Sequence, residues 1–223
     1  MEQNEIKGPI LAIDSVSRQG SVAVTLGSSA LASSDSTSGN PARAEDLIEV
    51  VRYVLDSCGL KLSEMASIAV SIGPGSYSGI RIGMATAIGL STALKIPVVG
   101  VSLLESLTVG AKPADVTTAV RAGKNDVAYQ DFEVTDEGQH PVSSPLQDSE
   151  TTFLSALEAT HRIIVCNSEL AFHLRTLVPN TSVVVDAGPN LATLIGRFAS
   201  RFPERSSLKP IYLRNHTHKA VGF

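Results

Sequence analysis

The chain is short of cysteine, of positive charge and of long apolar runs, and each shortage excludes something. Cys58 and Cys166 are its two cysteines, both in apolar contexts and without CxxC spacing. That excludes a disulfide framework or a zinc ribbon and reads as small core residues in a reducing compartment. A formal net charge of −4 over 223 residues argues against a dedicated nucleic-acid binder, which carries a basic excess. No uninterrupted apolar stretch is long enough to cross a bilayer. Residues 1–8 are polar, and Ile10-Leu11-Ala12-Ile13 is too short for the core of a secretory signal. A cytoplasmic location with no membrane partner is therefore expected. His140, His161 and His173 are scattered, and His216 and His218 sit in the tail, so no metal site is expected. No serine has motif-level His and Asp partners, which removes a hydrolase triad.

What the chain does have is 43% hydrophobic residues, enough for one large core or two small ones. The most informative stretch is Gly73-Pro74-Gly75-Ser76-Tyr77-Ser78-Gly79-Ile80-Arg81-Ile82-Gly83. It follows a buried-strand pattern, Ile68 to Ile72, and opens a helix that runs to Leu94 before Ile96-Pro97. No Gly-Lys-Ser/Thr follows, so it is not a Walker A loop, and the spacing is wrong for a dinucleotide fingerprint. Two readings stand side by side. The loop and helix N-terminus can cradle an anion, with Gly75, Ser76, Tyr77 and Arg81 contacting a nucleotide beside Asp14 at the end of the first strand. Equally, the glycines serve tight turning and close backbone packing, and Asp14 caps a turn through its own backbone.

The surrounding elements read as α/β. Residues 9–15, 20–26 and 30–35 form a meander of strands. Asn40 and Pro41 begin a helix that stops near Gly59, with Leu47, Val51, Val54, Leu55 and Cys58 on one stripe. The helix after the glycine loop carries no charge between Arg81 and Lys95. Ala85, Gly89 and Ala93 share one of its faces; Ile80, Met84, Ala87, Ile88 and Leu94 are placed opposite. A helix apolar all round must be buried all round, by its own domain as an internal core helix or by another chain at a subunit interface. After a strand at 98–101, Ser102 and Glu105 suggest a capping box. The second half reads as strands at 116–120, 126–134, 162–166, 182–186 and 211–213, with helices at 151–159, 169–177 and 191–202. Asp186-Ala187-Gly188 is a weak match to a phosphate loop. From Arg197 onward six basic residues face Glu204 alone, a basic tail able to meet a phosphate backbone or an acidic partner.

Together, the Ile-Leu-Ala-Ile-Asp-Ser start, residues 68–83, Ile96 to Ser102 and Pro210-Ile211-Tyr212-Leu213-Arg214 resemble the TsaB family. The resemblance is strong over residues 9–105 and thin over 106–205. It implies an actin-like ATPase fold (ASKHA, ribonuclease H-like) of two related subdomains with mixed sheets flanked by helices. Residues 1–105, joined by 206–223, would form the first subdomain and 106–205 the second. It further implies a non-catalytic subunit, with no cofactor of its own, that binds and activates TsaD for threonylcarbamoyl transfer to the adenosine beside the tRNA anticodon. Pairing through the first two long helices belongs to the same implication, with Leu47, Val51, Val54, Ile80, Met84, Ala85, Ile88, Gly89 and Ala93 as the expected partner surface. So do a homodimer when alone, TsaE as a further partner, and ATP or ADP at the TsaD interface. Transfer RNA would be met only indirectly or through the basic tail. The chain departs from the pattern in having no HxxxH metal pair. It also has Arg43 where many members have His, and Arg121-Ala122-Gly123 where Asp-Ala-Arg is frequent. The alternative is a nucleotide phosphohydrolase or kinase of the same fold acting alone, through Asp14 and the Gly75–Ser76 backbone.

Overall fold

The computed structural model describes residues 6–35, 44–158, 163–178, 182–203 and 207–213. The chain opens with the meander β1 (Ile10–Asp14), β2 (Ser21–Leu26) and β3 (Ser29–Asp35), followed by α1 (Ala44–Cys58). Then come β4 (Ser67–Ser71), α2 (Tyr77–Leu94), β5 (Val98–Val101) and the short α3 (Leu103–Ser106). These strands make one sheet in the order β3-β2-β1-β4-β5. The meander is antiparallel, while β1, β4 and β5 run parallel. Parallel strands covered on both faces must be apolar throughout, and β1 and β4 are buried at every position.

The second half repeats this plan. Strands β6 (Ala114–Arg121), β7 (Asp126–Thr135), β8 (Gly138–Pro141) and β9 (Leu146–Ser149) precede α4 (Glu150–Glu158). After these come β10 (Ile163–Cys166), α5 (Ser168–Leu174), β11 (Val183–Asp186) and α6 (Leu191–Arg201). The sheet order is β8-β7-β6-β10-β11, with β9 also on β7. As in the first sheet, the meander pairs antiparallel, and β6, β10 and β11 are parallel. Each sheet therefore has its first strand central, its meander on one side and its crossover strands on the other. This is the mixed α/β architecture of an actin-like ATPase fold, two sheets flanked by helices.

Helices cover the first sheet from both sides. Gly196 of α6 lies against Ala12 and Thr25, whereas Gly83 of α2 lies against Val70. Val70 is in register with Ile13, the next residue after Ala12, so the two helices sit on opposite faces. The second sheet divides its side chains by the same alternation. Ile164 and Cys166 join Phe153, Leu157, Leu170 and Leu174 under α4 and α5. Val165, Val116 and Phe132 instead join the core of the first half.

Several expectations need correction. α6 lies within the span 106–205, and its Leu191, Ile195 and Phe198 are buried in a core that the two halves share. The amphipathic stripe of α6 finds its complement on the first sheet, where Gly196 lies against Ala12 and Thr25. β8 and β9 were not foreseen, because Gly-Gln-His-Pro and Leu-Gln-Asp-Ser are polar and lack an alternating apolar face. Ser102 and Glu105 make no side-chain cap on α3. Residues 211–213 form no strand, although the Ile211 amide donates to the Ile72 carbonyl at 2.8 Å. Asn40, Pro41 and Arg43, and the tail beyond Leu213 with His216 and His218, lie outside the described residues.

Candidate functional site

The glycine loop wraps the turn that follows β1. A Cβ at Gly79 would overlap the Ser15 carbonyl oxygen, and one at Gly83 would overlap the Ser15 hydroxyl. Ser15 in turn donates its hydroxyl to the Gly79 carbonyl at 2.8 Å. At Gly75, with φ +148°, a Cβ would lie 2.5 Å from Val16 Cγ1. Close approach of α2 to the β1–β2 turn is therefore what these glycines provide.

Several amides at this turn are engaged inside the chain. The Ser76 amide donates to the Val16 carbonyl at 3.1 Å, and the Ile80 amide to the Ser76 carbonyl at 2.9 Å. Ser76 caps the helix, accepting from the Gly79 amide at 3.2 Å. Asp14 is buried, and its Oδ1 accepts from the amides of Val16 at 3.0 Å and Ser17 at 3.2 Å. Its Oδ2 accepts from the Ser17 hydroxyl. Of the two readings, turn capping is the one the geometry of Asp14 matches. Asp14, Gly75 and Ser76 are thus brought together around Val16. Tyr77 and Arg81 leave the group. The Arg81 guanidinium stacks 4.0 Å from the Tyr77 ring, whose centroid is 5.0 Å from that of Tyr212.

The expected partner surface divides as well. Leu47, Val51, Val54, Ile80 and Met84 are buried in the chain's own core. The stripe on α1 was real, but the first sheet uses it. On α2, residues Gly79, Ile80, Gly83, Met84 and Ala87 point inward. Ala85, Ile88, Gly89 and Ala93 are exposed, and a Cβ on Gly89 would meet nothing within 4 Å. Ile88 therefore belongs with the exposed small residues and not with Ile80 and Met84. Tyr77, Arg81, Ala85, Ile88, Gly89 and Thr92 follow one another at helical spacing along the exposed face. Ile48 and Tyr53, which the sequence did not single out, are exposed on α1 (Tyr53 by 63%). Nor did the sequence show the part played by Tyr212. No polar pattern marked these residues; an exposed tyrosine on the charged side of α1 was the available signal.

In the second half, Arg121 ends β6 at the position that Asp14 holds on β1. Its guanidinium donates to Glu150 at 2.8 Å, and His173 Nε2 meets the other carboxylate oxygen at 2.7 Å. Partial burial pushes the Glu150 carboxyl up. The hydrogen bonds from His173 and Arg121 outweigh it and hold the group below the usual carboxylate range. Asp186 accepts from the Ser168 hydroxyl and the Gly188 amide, both at 2.8 Å, which closes the turn that resembled a phosphate loop. Burial, with Asp186 adding to it, pushes the Cys166 thiol up to about 12, the behaviour of an inert core residue. Arg18 and Glu169 link the two halves by an exposed ion pair at 3.3 Å.

Residues 40–192 match the family described as TsaD, tRNA N6-adenosine threonylcarbamoyltransferase. The chain belongs to that family. It is 29% identical over 96 residues to the tRNA threonylcarbamoyladenosine biosynthesis protein TsaB of Escherichia coli, covering 41% of this chain and 42% of that one. To the TsaB of Bacillus subtilis it is 38% identical over 65 residues, 29% of this chain and 28% of that one. The matches thus span less than half the length of these curated relatives. Among solved structures, YeaZ from Pseudomonas aeruginosa superposes with a TM-score of 0.69 at 24% identity, over 92% of this chain and 100% of that one. That likeness is one of fold.

Proposed function

We propose that the chain is a non-catalytic subunit in tRNA threonylcarbamoyladenosine synthesis, which binds and activates a TsaD-type transferase through the exposed face of α2. The carrying observation is that face itself: Ala85, Ile88, Gly89 and Ala93 lie bare on a helix with no charge after Arg81. Small residues let a second helix approach closely, and Ile88 adds an exposed apolar side chain among them. The engagement of Asp14, Ser76 and Gly79 within the chain supports this reading over a phosphohydrolase or kinase acting alone. In the same proposal, the chain is cytoplasmic and self-associates through this face when the transferase is absent. ATP or ADP binds only at the shared interface. TsaE joins the assembly, and tRNA is reached indirectly or through the tail.

Substituting Ala85→Glu or Gly89→Glu places a charge on the bare face without touching the core. Size-exclusion chromatography with the transferase is expected to show loss of the complex while circular dichroism is unchanged. Complex formation by both variants at wild-type levels would remove the proposal.

A further inference from the structure

At its N-terminal end the exposed stripe of α2 runs into Tyr77 and Arg81, where the segment 207–213 crosses the first sheet. This strap is seated by its backbone. The Ser207 amide donates to Gly100 at 3.3 Å and the Ile211 amide to Ile72 at 2.8 Å. A Cβ at Gly100 would overlap the Ser207 carbonyl, and one at Gly73 would lie 2.6 Å from the Ile211 carbonyl. The strap is thus closely seated at two glycines of the sheet and loop, with Ile211 and Leu213 packed against the core. Tyr212, one residue beyond Ile211, is carried to the helix.

There it meets a prearranged cation. The Arg81 guanidinium lies over the Tyr77 ring at 4.0 Å, and the Tyr212 ring is 5.0 Å from Tyr77. The neighbouring Tyr212 hydroxyl is the leading reason that the guanidinium is held above its ordinary value, with Tyr77 adding to it. It is the one charged residue of α2. Among the described residues no carboxylate pairs with it. Being exposed, the cluster adds little to fold stability. An arginine stacked on one face keeps in-plane N–H donors that match a carboxylate in fork geometry. Tyrosine and arginine together at the edge of an apolar patch are the composition of an interface anchor.

We propose that Arg81, positioned by Tyr77 and by Tyr212 of the strap, is the specificity anchor of the docking face and receives a carboxylate from the partner's helix. The docking surface is then a composite of α2 and the C-terminal strap, and its partner carries an acidic residue about two helical turns from the small-residue contact at Ala85 and Gly89. This rests on the docking reading above. Tyr212 acts through Arg81 and is a positioning residue.

The test is calorimetric titration of the full chain with the transferase at low and high salt, using wild type, Arg81→Ala, Arg81→Lys, Tyr212→Phe and Ala85→Glu. Arg81→Ala is expected to bind about tenfold more weakly at low salt, with the difference shrinking at high salt. Arg81→Lys should recover part of the loss. Tyr212→Phe, which keeps the ring and the strap, should bind several-fold more weakly with an unchanged melting temperature. Arg81→Ala binding like wild type at both salts, while Ala85→Glu fails to bind, would overturn the anchor and leave the docking face standing. A loss with Arg81→Ala that is the same at both salts would overturn the carboxylate. A Tyr212→Phe affinity equal to wild type would overturn the positioning role. A loss confined to self-association would overturn the transferase as occupant. If wild type does not bind the transferase, the docking reading and the anchor fall together.

Discussion

Ser15 and Gly79, 64 positions apart, are locked by a buried hydrogen bond of 2.8 Å from the serine hydroxyl to the glycine carbonyl. The contact leaves no space for a Cβ on Gly79, which would overlap the Ser15 carbonyl. Gly79→Ala must therefore push α2 away from the β1–β2 turn. Overpacking of a fitted core costs about 1–3 kcal/mol, and urea denaturation should show a loss in that range. A variant with wild-type stability would mean that the glycine run serves something other than packing.

The two helices that were expected to form one partner surface should separate experimentally into core and surface. Leu47 and Met84 are buried within the chain. Truncation of either to alanine removes packed volume, and about 2–5 kcal/mol of stability should go with it. Ala85→Glu and Gly89→Glu change exposed positions, and their effect on stability should stay within about 0.5 kcal/mol. Thermal melts of the four variants check the division. If Met84→Ala lost binding without losing stability, Met84 would belong to the interface after all.

Glu150 gives the second half a defined acid response. Its folded carboxyl is held low by His173 and Arg121, against the effect of its own burial. A group whose folded pKa lies below its unfolded value stabilises the fold at pH above the unfolded value. That stability is lost as pH falls through the folded value. Wild type should therefore lose stability between the ordinary carboxylate range and stronger acid, and Glu150→Gln should lack that part of the slope. Denaturation midpoints measured from neutral pH down to about pH 3 compare the two. Parallel profiles would show that the Arg121–Glu150–His173 cluster makes no net contribution.

Much of the scaffold was legible because buried parallel strands are short apolar runs and long helices carry their own periodicity. β1, β4, β5, β10 and β11 all follow from such runs, as does α6. The orientation of α2 was not legible. With no charged face, its sequence offers nothing to tell Ile80, which points inward, from Ile88, which points out. On α1 the reverse held: the stripe was correct, and its complement was the chain's own sheet. The equivalence of the two sheets rests on pairing order, which no repeated residue pattern carries. Tyr212 was visible only as part of a family-like segment, because its contacts depend on the path of the strap past Gly73 and Gly100.

That path yields a prediction about the strap itself. A Cβ at Gly100 would overlap the Ser207 carbonyl and also lie 2.8 Å from Ile72 Cγ2, so Gly100→Ala leaves the strap no room on the edge strand. The Ser207–Gly100 hydrogen bond should break, and with it the registration that delivers Ile211 to Ile72. Hydrogen exchange should then rise at Ile211 while amides in β1 and β4 remain protected, because the latter lie in the core of the sheet. Limited proteolysis should cut between 203 and 213 sooner than in wild type. If Gly100→Ala exchanged at Ile211 as slowly as wild type, the strap would be held by its side chains, and its backbone seat would not decide where Tyr212 stands.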